Sequence, residues 1–173
     1  MELRFVSPEL ASLDDLDGEI LACTIWSDAR PSHGVAGLCD FRMAGRISSL
    51  ERETLVSGEL GEVALLPGKP RLTFDKLLVF GAGDRAAFDE EAFRAVVLHM
   101  LSTMEGLCAR SLVVELPGRH DALISAERAA DVLLACAGRR PEHDVWTLVE
   151  DADGRQRITR HMIEERRRVR RVM

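Results

Sequence analysis

Short apolar runs recur along the chain and predict the strands of a sheet. Several of them are closed by glycine or proline, and their residues are nearly all apolar rather than alternating with polar ones. Continuous apolar runs of this length are typical of strands that are covered on both faces, as in parallel sheets. The predicted strands are residues 2–6, 19–26, 62–67, 76–81, 111–117 and 144–150.

Between these runs, apolar residues recur every three or four positions and predict amphipathic helices. Residues 89–105 begin at Asp89, a favourable N-cap residue, and two glutamates follow where the helix dipole favours acids. A second helix is predicted over residues 126–137. A third is predicted over residues 35–51, with Gly45 in its middle as a position of close packing.

Strands that alternate with helices indicate an α/β protein, a three-layer α/β/α sandwich around a mixed, largely parallel sheet. A length of 173 residues suits one domain, and 46% apolar with 30% charged residues is a globular composition. No apolar run approaches the roughly 20 residues of a membrane span. The start, MELRFVSPEL, lacks the pattern of a secretory signal. We therefore expect a cytoplasmic protein with no membrane contact.

The charge is distributed unevenly along the chain. The total is −6, but residues 155–173 hold eight arginines and two glutamates, so this tail carries +6 and the preceding residues carry −12. We place a domain over residues 1–154 and a basic tail over 155–173, as a strand, a helix or both. A solvated helix explains the tail, and so does contact with a protein partner or nucleic acid. Because no aromatic residue lies between the arginines, base stacking is not expected. The candidate contact residues are Arg166, Arg167, Arg168, Arg170 and Arg171.

Three loops follow predicted strands at the edge of the sheet where α/β proteins bind ligands: residues 27–37, 81–84 and 117–120. The first and third lead toward helices, whose first backbone N–H groups can bind an anion. The phosphate-binding motifs G-x-G-x-x-G and G-x-x-x-x-G-K-[ST] are not found there, so we favour a structural role for the glycines. The candidate ligand-binding residues are Asp28, His33, Gly34, Val35, Gly81, Gly83, Gly118 and Arg119.

Metal and nucleophile chemistry finds little support in the sequence. The histidines do not form H-E-x-x-H, and no G-x-S-x-G is present. The acidic segment VEDADG, residues 149–154, is interpreted as a hairpin turn built on DADG. We expect no metal, no cofactor and no catalytic residue. The four cysteines are widely spaced in apolar surroundings, which predicts reduced, buried thiols. They are Cys23, Cys39, Cys108 and Cys136.

The order of these segments resembles the N-terminal domain of the leucyl (cytosol) aminopeptidase family over roughly residues 1–137. The resembling stretches are LRFVSPELASLD, GLCDFRMAGRISSL, GELGEVALLPG, KLLVFGAGDRAAFDEEAFRAVV and SLVVELPGRHDALISAERAADVLL. The resemblance implies a macro-domain-like sandwich, which in that family sits beside a separate catalytic domain and takes part in hexamer assembly.

The family's catalytic domain binds two metal ions, often zinc or manganese, and carries a motif resembling N-T-D-A-E-G-R-L. EDADGR, residues 150–155, echoes part of that motif, but the lysine and the rest of the catalytic domain are not found in this sequence. The resemblance therefore carries over no catalytic residue.

In macro domains the strand-to-helix loop is glycine-rich and holds the diphosphate of ADP-ribose. HGVAG, residues 33–37, looks like a reduced version of that loop, because it has fewer glycines. Where a glycine is lost, the added Cβ atom obstructs the approach of a diphosphate to the backbone. We therefore expect residues 33–47 to cap and form a packing helix.

The resemblance and the loops together imply a non-catalytic relative of this domain that stands alone. It acts through self-association or contact with a protein partner. The alternative is a module that binds ADP-ribose or a related nucleotide, with Asp28 near the adenine or ribose. A third hypothesis is weak nucleic-acid binding through the arginine-rich tail.

Overall fold

In the part of the chain that the structure describes, six strands form one sheet at the centre of the fold. The computed structural model describes residues 1–138 and 140–172, with the backbone alone for residues 166–172. The strands are β1 (Glu2–Val6), β2 (Gly18–Ile25), β3 (Val63–Pro67), β4 (Phe74–Gly81), β5 (Ser111–Val114) and β6 (Val145–Val149). Their order is β1-β6-β5-β2-β4-β3, and all pairs are parallel except β3 with β4. Every predicted strand is present, although β5 ends at Val114 and not at residue 117.

Helices cover both faces of this sheet, which confirms the three-layer α/β/α sandwich. They are α1 (Leu10–Asp14), α2 (Gly34–Arg42), α3 (Arg46–Arg52), α4 (Glu90–Gly106), α5 (Ala126–Ala137) and α6 (Ala152–Val172). Helices α1–α3 contribute to the core on one face, and α4–α6 to the core on the other. Alternation along β2 explains this division, because Ala22 faces α4 and α5 whereas Cys23 faces α2.

The prediction of one helix over residues 35–51 is wrong, because the chain turns between α2 and α3. Ala44 and Gly45 both have positive φ, 56° and 81°, and the Gly45 N–H donates to the Asp40 carbonyl at 2.8 Å. The Asp40 carboxylate then accepts from the Ser48 N–H at 3.0 Å, which satisfies a free donor at the start of α3. A Cβ on Gly45 would meet nothing within 4 Å. Gly45 is therefore present for its backbone conformation and not for close packing.

The hairpin turn predicted at DADG is also wrong. This segment is the first turn of α6, and the Asp151 carboxylate accepts from the Gly154 N–H at 2.7 Å as a helix cap. The tail, for which a strand, a helix or both are predicted, forms part of helix α6. Ile158 of α6 is buried in the core. The domain boundary at residue 154, which rests on the change in charge, stays a prediction.

The cysteine prediction is correct for two of the four side chains. All four are free thiols, but only Cys23 and Cys39 are buried, whereas Cys108 is exposed and Cys136 half-buried. Cys108 lies in the turn after α4, where its backbone has a φ of 54° and its side chain points out of the core. Within the residues that the structure describes, no helix is both long and apolar enough to cross a membrane.

Candidate functional site

The candidate site is a cleft at the carboxyl ends of β2 and β5. Parallel strands end at the same edge of the sheet, so the loops that follow them converge there. In the loop after β2, Trp26, Ala29 and residues 31–33 form one wall, and residues 115–121 after β5 form the other. Helix α2 begins at this cleft and directs its first backbone N–H groups into it.

A side chain of the protein itself occupies the start of α2. Glu115, the residue after β5, accepts a hydrogen bond from the Val35 N–H at 2.9 Å through Oε2. Gly34 has a φ of 58°, and a Cβ there would lie 2.4 Å from that same oxygen. The first turn of a helix attracts negative charge because its N–H groups are unpaired. The Glu115 carboxyl therefore fills the place that an anionic ligand of this helix would take.

Burial makes Glu115 a poor acid. The residue is 5% exposed. Its desolvation raises the pKa from 4.5 to about 7, and the hydrogen bond from Val35 partly opposes this. The nearby carboxylates of Asp121 and Glu150 also raise this pKa, and their smaller effects are included in the value of about 7. Near neutral pH the cleft thus holds several acidic groups, and Glu115 is distributed between its neutral and charged forms.

Two histidines and an aspartate complete the mouth of the cleft. The rings of His33 and His120 stack in parallel with centroids 6.5 Å apart, and His120 Nδ1 lies 4.0 Å from Glu115 Oε1. Asp121 accepts from Trp26 Nε1 at 3.0 Å and pairs with Arg85 at 2.9 Å. These contacts tie the two walls of the cleft together.

The predicted ligand residue Asp28 does not line the cleft. It is exposed, and its carboxylate accepts from the Arg85 N–H at 2.9 Å. That hydrogen bond lowers the pKa of Asp28. The carboxylate therefore serves to hold the turn after β4 beside the loop after β2.

Arg119, another predicted ligand residue, is held in a buried ion pair. Its guanidinium donates to both carboxylate oxygens of Glu150 at 2.8 Å, and it also donates to the Ile124 carbonyl. The two side chains are 10% and 7% exposed. Glu150 follows β6 at the start of α6, where a Cβ on Gly154 would lie 2.3 Å from its Oε1. The Glu150 side chain thus lies against the first turn of α6, whose Gly154 N–H is capped by Asp151.

The predicted glycines of the loops after β4 and β5 pack against other parts of the chain and not toward open space. A Cβ on Gly81 would lie 2.0 Å from the Glu59 carbonyl oxygen, and one on Gly118 would lie 2.6 Å from the Phe88 ring. Gly83 donates to the Gly58 carbonyl at 2.9 Å. The structure therefore brings the loops at 27–37 and 117–120 together at the cleft. The turn at 81–84 packs on the segment before β3 and also contacts the loop after β2, where the Ser27 N–H donates to the Gly83 carbonyl at 2.9 Å.

Little free volume remains in the cleft. The space between its walls amounts to about 10 Å³, which is about enough for one water molecule. Small-molecule sites have volumes of about 300–1,000 Å³. A larger open groove of about 670 Å³ lies between Ser7 and the outer face of α6, around Gln156 and the exposed Ile163. Of the residues that the structure describes around this groove, none is among the predicted ligand contacts.

The arginine cluster and the metal prediction receive no direct test from the structure. The side chains of Arg166, Arg167, Arg168, Arg170 and Arg171 lie outside the described residues, although their backbone continues α6. Among the residues with described side chains, no group of three or more His, Cys, Asp and Glu is arranged to hold a metal ion.

Sequence reasoning missed Glu115 and gave Glu150 the wrong role. Each is the first residue after a buried strand, VWTLV for Glu150 and SLVV for Glu115. A charged residue at this position faces the ligand edge of a parallel sheet, and that position is the signal that could have identified both.

In its fold the chain resembles macrodomains, a class of α/β protein. The macrodomain of Mycobacterium tuberculosis DarG is 15% identical, covers 87% of this chain and 99% of its own, and superposes with a TM-score of 0.68. An Oceanobacillus iheyensis macrodomain variant is 12% identical, with coverage of 94% and 93% and a TM-score of 0.69. These identities show a shared fold alone.

The sequence family is more specific. The model of the cytosol aminopeptidase family, N-terminal domain, matches residues 24–137, and the chain belongs to this family. A tomato leucine aminopeptidase variant is 13% identical with a TM-score of 0.62, and the match covers 94% of this chain but 35% of the tomato enzyme. The chain therefore corresponds to about a third of that enzyme. A comparison with curated protein sequences found no match.

Proposed function

We propose that these 173 residues act through protein contact, by self-association or by docking on a protein partner, and without catalysis of their own. The observation that carries the proposal is the position of Glu115, which fills the start of α2 with a carboxyl of the chain. A diphosphate at this place would have to displace Glu115 and then lie beside the carboxylates of Asp121 and Glu150. Both carboxylates raise the pKa of Glu115 although arginines pair with them, so they act as like charges on this place and disfavour an anion.

Family membership supports the same proposal. The N-terminal domain of this family takes part in assembly in the enzymes that it accompanies, so a contact function needs no further chemistry in the cleft. Exposed large apolar side chains provide surface for such contact. Phe41 is 74% exposed, Leu55 65% and Leu65 53%. Burial of such apolar side chains against another protein is favourable.

Thermal unfolding and light scattering of the purified chain test this proposal together. We expect ADP-ribose, NAD and AMP to leave Tm unchanged up to millimolar concentration, and the mass to exceed that of one chain at high protein concentration. A ligand that binds the native state alone raises Tm in proportion to the logarithm of its concentration. Such a rise, in a chain that stays monomeric with and without candidate partner proteins, would contradict the proposal.

Nucleotide binding is the second candidate function, because one observation favours it. The Val35 N–H and the positive φ of Gly34 already form an anion-binding turn, and His33 and His120 flank it. A nucleotide would bind there after Glu115 swings away. Since the neutral form of Glu115 repels an anion less, this candidate predicts stronger binding below pH 7 than above it. Titration calorimetry with ADP-ribose at pH 6 and pH 8 distinguishes the two candidates.

A further inference from the structure

A small cavity beside the cleft has an acidic lining. Its volume is about 80 Å³, and its carboxyl groups are those of Glu115, Glu150 and Asp151. Glu150 is already paired with Arg119, whereas neither Glu115 nor Asp151 forms an ion pair with any lysine or arginine among the described side chains. An excess of unpaired carboxyl groups attracts cations and repels anions.

Glu115 offers this cavity an oxygen that has no hydrogen bond to any described residue. Its Oε2 accepts from the Val35 N–H, whereas its Oε1 lies 4.0 Å from His120 Nδ1, which is too far for a hydrogen bond. The residue is 5% exposed, and the cleft on its other side holds only about 10 Å³. The cavity is therefore the space from which a ligand can donate to Oε1. Such a donor offsets the cost of desolvating the carboxyl group.

The spacing of the acceptors fits a primary ammonium group. Two acceptors that are 4.0 Å apart can both receive hydrogen bonds of about 2.9 Å from one nitrogen placed between them. His120 Nδ1 is such an acceptor when the neutral ring carries its proton on Nε2. Asp151 keeps a carboxylate oxygen free, because only its Oδ1 accepts from the Gly154 N–H. An ammonium has three donors for separate acceptors, whereas the fork of an arginine is matched by both oxygens of one carboxylate.

We infer that this cavity binds the ammonium group of a lysine side chain that a protein partner inserts. Pro8 and Val149 complete the walls and provide apolar surface for the methylene groups of a lysine. The lysines of this chain are Lys69 and Lys76, and each already has its Nζ 2.8 Å from a carboxylate oxygen of its own chain. A different protein, rather than a second copy, therefore supplies the lysine.

The ionisation of Glu115 makes this binding sensitive to pH. A bound cation favours the charged form of Glu115, whose pKa in the free chain is about 7, so binding strengthens as the pH rises from 6 to 8. Positive charge gained by His33 or His120 at low pH acts in the same direction. A nucleotide would show the opposite dependence. The charged and titratable groups around Glu115 are Cys23, His33, Arg119, His120, Asp121, Glu150 and Asp151.

This inference rests on the proposed function, and an NMR titration of the full chain with Nα-acetyl-lysine amide tests it separately. We expect a millimolar Kd, with shifts at the Val35 amide and the His120 ring. Binding should be about tenfold tighter at pH 8 than at pH 6, since the charged fraction of Glu115 rises from about a tenth to about nine tenths. The norleucine analogue has similar methylene groups without the ammonium, and it should bind about tenfold more weakly.

Substitutions in the lining test which side chains hold the ammonium. Glu115→Gln keeps an acceptor for the Val35 N–H and removes the charge, so it should weaken binding about tenfold and reduce its pH dependence. Asp151→Asn keeps an acceptor for the Gly154 N–H and should also weaken binding. The matched control is Glu142→Gln, an exposed carboxylate before β6 and thus at the opposite edge of the sheet, which should leave the Kd unchanged. Circular dichroism of each variant verifies that it remains folded.

The outcomes separate this site from the proposed function. Equal affinity for the lysine and norleucine analogues contradicts the ammonium site, and so does a lysine Kd that Glu115→Gln and Asp151→Asn leave unchanged. A chain that shows no shift with the lysine analogue also contradicts it. None of these results contradicts protein contact, which the scattering experiment with candidate partners tests by itself.

Discussion

Glu115 combines a buried position with a hydrogen bond that favours its charged form. The raised pKa makes this residue a source of pH-dependent stability. In the unfolded chain the carboxyl ionises near pH 4.5, and in the folded chain near pH 7. Between these values the unfolded state binds fewer protons than the folded state, so stability falls as the pH rises through this window. At about 1.4 kcal/mol per pKa unit, the loss approaches about 3 kcal/mol.

Glu115→Gln removes this ionisation while leaving an oxygen to accept from the Val35 N–H. We expect the variant to match the wild type near pH 4.5 and to be more stable above pH 7 by about 1–3 kcal/mol. Urea unfolding at a series of pH values measures the difference. Equal pH dependence in the two proteins would show that Glu115 titrates normally in the folded state.

The Arg119–Glu150 pair illustrates how burial changes the value of an ion pair. Arg119→Ala leaves a buried carboxylate without its partner, and we expect a loss of about 3–5 kcal/mol. Arg128 and Glu90 form a similar two-point contact at 2.6 and 2.7 Å, but these side chains are 51% and 43% exposed. Arg128→Ala should therefore cost at most about 1 kcal/mol. Similar losses of unfolding free energy in the two variants would argue against the burial of the first pair.

At the scale of elements, the break between α2 and α3 includes one glycine, which follows Ala44 and has positive φ as well. Gly45→Ala adds a methyl group in open space at a φ of 81°, so the cost is conformational, about 1 kcal/mol. Gly106 provides the control, because a Cβ there also meets nothing within 4 Å but lies in α4. Gly106→Ala should stabilise by about 0.5–1 kcal/mol. Thermal unfolding should thus give shifts of opposite sign, and two shifts of equal sign would contradict this account.

Element boundaries could be predicted where the apolar pattern changes period. The runs at β2, β4 and β6 and the spacing in α4 and α5 locate these elements within a few residues. The α2–α3 turn could not be found in this way, because apolar residues continue at helical spacing through Met43 and Ile47 on both sides of the turn. The turn depends on the backbone at Ala44 and Gly45, which apolar periodicity does not register.

Over the whole molecule, the sequence predicts where a ligand cleft would lie but not that the chain fills it. The loops after β2 and β5 could be located because parallel strands end at one edge. The hydrogen bond from Val35 to Glu115 joins residues 80 positions apart, and it depends on how α2 packs on β2, the strand beside β5. No local pattern around either residue contains that information. The strand order β1-β6-β5-β2-β4-β3 is likewise set by pairings between distant segments.

The filled cleft leads to a prediction about the domain as a whole. If Glu115 is the obstacle to anion binding, Glu115→Ala should open the start of α2 and give a chain whose Tm rises with ADP-ribose concentration. A ligand at a hundred times its Kd contributes about 2.7 kcal/mol to native-state stability. Glu115→Gln is the matched control, because it keeps the space filled while removing the charge.

Comparing the two variants with the wild type separates the effect of the volume of the Glu115 side chain from the effect of its charge. A shift in Glu115→Ala alone means that the side chain blocks the site by its volume, whereas shifts in both variants mean that its charge excludes the anion. If none of the three proteins responds to ADP-ribose, the loop at residues 33–37 lacks the backbone needed for a diphosphate even when emptied. A response of the wild type equal to that of Glu115→Ala would contradict the idea that Glu115 closes the cleft, and would favour the nucleotide-binding candidate.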